Sequence, residues 1–283
     1  MKNERIRLPA PAKLNLTLRI VGRRPDGYHL LQTVFQFIDE CDWITFTLRG
    51  DGQIVLVNPL PGVPAEGDLT VRAARALQQA TGTASGVTIE VEKRLPMGGG
   101  LGGGSSDAAT TLLGLNYLWG TGLSVEELKP MGLALGADVP IFVEGRASWA
   151  EGVGEHLTYL DLPEPWYVVV VPPCHVPTAQ IFTAEDLTRN NSNITIRDFL
   201  AGQRENHCLP VVQRLYPEVK SAMDELSQYA RPYLTGTGAC VFAEFDNEND
   251  ARLVNETLAA RWKCFTTRGL NVSPVHHMID LAS

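Results

Sequence analysis

No pair of cysteines in this sequence has C-x-x-C spacing, and the five present (Cys41, Cys174, Cys208, Cys240 and Cys264) are scattered and odd in number. That excludes a disulfide framework and a zinc-ribbon site, and it fits the reduced thiols of a cytosol. No apolar run is long enough to span a bilayer, and the opening MKNERIRLPAPAK lacks the apolar core of a secretion signal. Basic residues are outnumbered, 24 against 32 acidic ones, for a net charge of −8 over 283 residues. With no basic run and no aromatic–basic interleaving, nucleic acid is excluded as a partner, because phosphate neutralisation needs clustered Lys and Arg. Internal repeats and low-complexity tracts are also missing. What remains is a soluble chain, 44% hydrophobic, long enough for one large domain or two ordinary ones.

Alternation opens the chain. In AKLNLTLRI, Leu14, Leu16, Leu18 and Ile20 face one way, and Lys13, Asn15, Thr17 and Arg19 face the other. GRRPDGY is a turn by composition and HLLQTVFQFID a second strand, so the two predict a hairpin. WITFTLR and QIVLV extend the β run. LTVRAARALQQATG predicts a helix closed by Gly82, and GVTIEVEKRL predicts a strand leading into a glycine loop. After the loop a helix runs to about Gly120. SVEELKPMGLALG predicts another, with Ser124 and Glu127 spaced as a capping box. Prolines cluster in LDLPEPW ahead of the buried strand YVVVVP, which places a boundary near residue 160. The rest reads as a helix-rich middle, a glycine turn, the strand CVFAEF, a helix, and a final strand carrying His276 and His277. Those two histidines have no acid or cysteine spacing that would complete a metal site, and they read as structural. The expected class is α+β in two domains, residues 1–160 and 161–283.

The loop itself is PMGGGLGGGSSDAA, with six glycines in seven positions. Such density carries a cost in backbone entropy, so something must require a close, bent backbone. A strand, a glycine loop and a helix in succession present backbone N–H groups and a helix N-terminus to an anion, and both favour phosphate. Ser105 and Ser106 stand where a hydroxyl could bond a phosphate oxygen, ligate Mg²⁺ or simply cap the helix. A plain glycine turn is the competing account. Gly98, Gly100 and Gly103 satisfy G-x-G-x-x-G. However, the acidic residue a dinucleotide fold needs about twenty positions on would be Glu126 or Glu127, inside a helix start. A Walker loop fails too, since no Lys-Ser or Lys-Thr follows the glycines and Lys93 precedes them.

PMGGGLGGGSSDAA resembles the phosphate loop of the GHMP kinases, the small-molecule kinases named for galacto-, homoserine, mevalonate and phosphomevalonate kinases. PAKLNLTLRIVGRRPDGYHLLQTVFQFID and LTGTGACVFAEF narrow the resemblance. They point to the branch that phosphorylates the 2-hydroxyl of the cytidine diphosphate derivative of methylerythritol in isoprenoid precursor synthesis. The likeness runs from Pro11 to the C-terminal GLNVSPVH. It implies a two-domain GHMP fold with the active site in the cleft between domains, with ATP and Mg²⁺ as cofactors. ATP would lie on Pro96, Met97, Gly98, Gly99, Gly100, Leu101, Gly102, Gly103, Gly104, Ser105 and Ser106.

By that resemblance Asp138 in LGADVPIF is the catalytic aspartate, where the residues alone suggest a turn or N-cap aspartate. Lys13 becomes its partner and Asn15 a hydrogen-bonding ligand of the acceptor end, where composition alone suggests a solvated polar face. Tyr28 is expected to stack on cytosine, His29 to hydrogen-bond it, and Phe182 to form the second aromatic wall. Without the family these are a turn flank, a strand start and a core phenylalanine. Gly236, Thr237 and Gly238 in TGTGAC would offer N–H groups to the diphosphate or the transferring phosphoryl; the plain alternative is a tight turn. The Mg²⁺ ligands are not assignable. A small-acceptor kinase of the same fold has no use for the DGYH turn with Phe182, and a catalytically dead sensor has none for Lys13 with Asp138. The protein is expected in the cytoplasm as a monomer or weak homodimer, with a small molecule as its partner and no membrane or nucleic acid.

Overall fold

The structure, a computed structural model, describes residues 4–60 and 62–282. β1 (Arg5–Arg23) and β2 (His29–Arg49) form the hairpin expected around Asp26-Gly27. Both strands outrun the sequence pattern: β1 starts before Pro9 and Pro11, and WITFTLR continues β2 without a break. β1 tolerates its prolines because, among the described residues, β2 is the only strand it pairs along, and its other side needs no continuous ladder of N–H groups.

β3 (Ile54–Leu56), α1 (Leu69–Thr81), β4 (Gly86–Glu92), α2 (Gly103–Trp119) and α3 (Val125–Leu135) follow, and a single 3₁₀ turn at Ala65–Gly67 precedes α1. Asp68 caps α1, Gly82 closes it in a left-handed conformation, and the Ser124–Glu127 capping box starts α3. Every residue from Ser106 to Leu115 in α2 is buried, as befits a helix that is apolar nearly all round. Next come α4 (Val139–Glu144), β5 (Ser148–Gly152), β6 (His156–Tyr159) and β7 (Trp166–Val171). The C-terminal part holds α5 (Thr178–Thr183), α6 (Ile196–Leu200), α7 (Leu209–Leu215), α8 (Pro217–Leu226), β8 (Pro232–Leu234), β9 (Val241–Phe245), α9 (Glu248–Leu258) and β10 (Lys263–Leu270).

The chain does not end on a strand. α10 (Pro274–Ala282) follows β10, so His276 and His277 are helical, and Val275 is buried in the core beneath α2. Proline at the first helical position masked this element, since it reads as a breaker yet loses no hydrogen bond there.

The strands make one mixed sheet in the order β3-β4-β2-β10-β7-β9-β8, with β1 and the β5–β6 hairpin paired to β2. β10 joins its halves. It pairs with β7 over Lys263–Arg268 and with β2 at Gly269 and Leu270. One core (Leu8, Phe46, Ile89, Leu112) lies under α1 and α2, and a second (Val168, Val212, Leu226, Val241) lies under α7 and α8. A third cluster, with Leu14, Leu101, Tyr167 and Phe242, lies between them and supports the glycine loop.

Candidate active site

The register of β1 against β2 slips between Pro11 and Lys13 and again between Asn15 and Thr17. These bulges bracket Lys13 and Asn15, re-aiming both toward the loop that follows β4. The polar face expected to be solvated is buried: Lys13, Asn15, Thr17 and Arg19 are 2, 3, 1 and 7% exposed. Loops from both halves of the chain cover it. The Lys13 N–H donates to Leu101 O at 3.0 Å, and the Asn15 N–H donates to Thr235 Oγ1 at 3.0 Å.

The Lys13 ammonium makes two hydrogen bonds and one ion pair. Nζ donates to Asn15 Oδ1 and to Gly100 O at 3.0 Å, and lies 3.3 Å from Asp138 Oδ2. Asn15 Nδ2 donates to Thr33 Oγ1 at 2.8 Å, so the amide links Lys13 to Thr33. Asn15 also lines the cavity, so it can reach an acceptor there. Asp138 occupies the N-cap position of α4, yet its side chain caps nothing; it faces Lys13 and is 39% exposed along the side chain. A half-exposed carboxylate beside a buried ammonium can take a proton from a hydroxyl while the charge beside it stays fixed.

The glycine loop is held from two sides. A Cβ on Gly102 would meet the Phe142 ring at 2.8 Å, and one on Gly100 would meet Thr235 O at 2.3 Å; both residues have φ of +75°. Glycine is therefore demanded by packing within the protein, in addition to any ligand. Neither serine caps α2. The helix starts at Gly103 behind Gly102, two residues before Ser105, and no side chain caps it. The first-turn N–H groups of Gly103, Gly104 and Ser105 border an open cavity, the arrangement that binds phosphate.

That cavity measures about 590 Å³. It brings together Lys13, Asn15, Asp138, the loop from Pro96 to Ser105, Phe182, Gly236 and Thr237. Ser106, Gly238, Tyr28 and His29 stand outside it. Ser106 is fully buried, and the Gly238 N–H is already bonded to Thr235 O at 3.0 Å, so Gly238 is not a free donor. Tyr28, at the hairpin tip, is 61% exposed. His29 stacks on Phe182 with centroids 4.9 Å apart, so one face of that phenylalanine is covered by imidazole.

Sequence reasoning gave no role to three charged residues behind the loop. Lys93 Nζ bridges Asp42 Oδ2 and, at 2.7 Å, Asp107 Oδ2. Asp42 Oδ1 accepts the N–H groups of Arg94 and Leu95 at 2.6 and 2.9 Å, fixing the chain as it leaves β4. Burial, opposed by Lys93 and reinforced by Asp42, pushes the Asp107 carboxyl up to about 7. Lys93 is raised overall, because Asp107 and Asp42 together outweigh its own burial. Its place just before the glycines was the available signal.

Models of the GHMP kinases N terminal domain and GHMP kinases C terminal match residues 68–146 and 186–264. The chain is 59% identical over 281 residues to a 4-diphosphocytidyl-2-C-methyl-D-erythritol kinase of Methylococcus capsulatus, covering 99% of this chain and 97% of that one. To the protein of the same name in Nitrosococcus oceani it is 56% identical, covering 94% and 95%. A crystal structure of 4-(cytidine 5'-diphospho)-2C-methyl-D-erythritol kinase superposes with a TM-score of 0.80 at 33% identity, over 93% of this chain and 99% of that one.

Proposed function

The chain belongs to the 4-diphosphocytidyl-2-C-methyl-D-erythritol kinases of the GHMP kinase family, and on that premise we propose that its cleft joins ATP to the cytidyl substrate across the Lys13–Asp138 pair. It is a phosphotransferase with an alcohol acceptor, acting in isoprenoid precursor synthesis. The observation that carries the site assignment is the buried Lys13 ammonium, which touches the Gly100 carbonyl of the loop and lies 3.3 Å from the Asp138 carboxylate. One fixed charge therefore stands at the meeting point of phosphate site and base.

Asp138 accepts the proton of the 2-hydroxyl as the oxygen becomes a nucleophile. Lys13 stabilises the developing alkoxide, and Asn15 with the Gly100 carbonyl keeps the ammonium in place. The N–H groups of Gly103, Gly104 and Ser105 receive the phosphates at the positive end of α2, where phosphoryl transfer depends mainly on positioning and charge. Mg²⁺ fits this donor set. The Ser105 hydroxyl borders the cavity without a hydrogen-bond partner among the described residues, and Mg²⁺ takes one or two protein oxygens, with phosphates and water completing its shell. When bound, Mg²⁺ neutralises charge on the phosphoryl group. The absence of a cluster of three carboxylate, histidine or cysteine ligands among the described residues is compatible with that coordination.

Phe182, Tyr28 and His29 form the cytosine end, and Gly236 and Thr237 line the path between the two ends. The two lobes divide near residue 160, and the enzyme works in the cytoplasm as a monomer or weak homodimer. The test is coupled ADP release with the cytidyl substrate, mevalonate and homoserine in parallel. Turnover of the cytidyl substrate alone is expected; equal turnover of mevalonate or homoserine overturns the assignment.

A further inference from the structure

Arg189 lies in the loop after α5, where nothing in the sequence marks it. Its guanidinium engages four of its five N–H groups. Nη2 donates to Phe182 O at 3.0 Å and Ala184 O at 2.6 Å, and Nη1 donates to Leu187 O at 3.0 Å. These bonds close the C-terminal end of α5, the helix that carries Phe182. The fourth, from Nε, goes to His29 Nε2 at 3.1 Å. One planar side chain thus ties the β1–β2 hairpin to the C-terminal segment, across the two rings that stack at 4.9 Å.

The donor direction fixes the histidine. A guanidinium stays protonated and can only donate, so Nε2 must present its lone pair. The imidazole is then neutral with its proton on Nδ1, and Nδ1 has no partner among the described residues. Burial first, then the positive charges of Arg189 and Arg23, hold the His29 pKa below its usual value, which agrees with a neutral ring.

Resting on the cytosine assignment above, we propose that Arg189 is a specificity-determining positioning residue: it locks His29 as a single Nδ1–H donor and anchors the Phe182 backbone, so that the site accepts cytosine and rejects uracil. The chemistry follows from the base edges. Cytosine presents an acceptor at N3, and a fixed N–H donor directed there satisfies it. Uracil carries a proton on N3, so the same donor there meets another donor. A histidine free to exchange tautomers would lose that discrimination.

The experiment combines nitrogen-15 NMR of the His29 ring with calorimetry of cytidine and uridine 5′-diphosphate and with steady-state kinetics, on the full chain and on Arg189→Met and Arg189→Lys. In the wild type the His29 proton is expected on Nδ1. Arg189→Met should mix the tautomers, lower the cytidine-over-uridine preference by about tenfold, and raise KM for the cytidyl substrate while kcat and KM for ATP stay put. Arg189→Lys keeps the charge but not the fork; it should fold and lose part of the preference. A wild-type proton on Nε2, or an unchanged preference in a folded variant, overturns the proposal. If the wild type binds neither nucleotide, the cytosine assignment falls while the tautomer measurement still decides the Arg189–His29 relation.

Discussion

A Cβ placed on Gly100 would stand 2.3 Å from the carbonyl oxygen of Thr235, closer than any side chain can approach backbone. The glycine loop and the TGTGAC turn are therefore packed backbone to backbone, across residues far apart in the chain. At Gly103 a Cβ would meet Leu95 at 3.4 Å and Asp42 at 3.5 Å, which is ordinary contact directed away from the cavity. Gly100→Ala should lower the melting temperature and weaken ATP binding together, by more than about 1 kcal/mol in stability, since it combines a clash with a left-handed φ. Gly103→Ala should leave the melting temperature nearly unchanged. Equal melting curves for the two variants would show that the turns are not in contact.

Asp138→Asn keeps the size of the side chain and removes its basicity. With ATP affinity near wild type, kcat should fall by about 10²–10⁴. Lys13→Met should also lower kcat, and the double variant should be little worse than the worse single one, because one charge pair is being removed. Rapid-quench turnover checks this. Additive losses would mean that the two groups act separately.

Tyr28→Ala removes a ring that is 61% exposed, so stability should not change. Loss of stacking on cytosine should cost roughly 1–3 kcal/mol of substrate binding and appear in KM. A hundredfold drop in kcat at constant KM would place Tyr28 near the reacting atoms instead.

Asp107 sets a pH dependence of stability. Its folded pKa, about 7, lies above the unfolded value, so between those two pH values the native state binds more protons than the unfolded state. Stability contributed by the protonated carboxyl is present at low pH and is lost as pH rises through about 7. Asp107→Asn does not titrate. Its stability relative to wild type should therefore improve as pH is raised from 5 to about 8, as read by chemical denaturation at each pH. A difference independent of pH would mean that Asp107 is ionised throughout.

Much of this molecule was legible because local chemistry agreed with the tertiary outcome. Gly82 closes α1 and Ser124 with Glu127 opens α3, as local signals that no packing overrides. The succession of strand, glycine loop and helix was legible too, but not that Gly100 and Gly102 answer to Thr235 and Phe142. Burial was not legible at Lys13 and Asn15, where alternation predicts a wet face and distant loops close over it. Asp42 and Asp107 were invisible because their meaning depends on Lys93, across gaps of 51 and 14 residues. The short α4 and α5, six residues each, carry too few turns to show a period.

The place of β10 bears on how the chain is made. The strand that joins β2 to β7 ends at Leu270, and α10, which follows it, buries Val275 under α2. A nascent chain can form the β1–β2 hairpin early, but its central seam stays open until β10, Lys263–Leu270, has been made. Until then the edges of β2 and β7 that β10 will cover are exposed as unpaired templates for another strand. Synthesis that stops before β10 therefore leaves a sticky intermediate for chaperones or proteases, and not a smaller working enzyme.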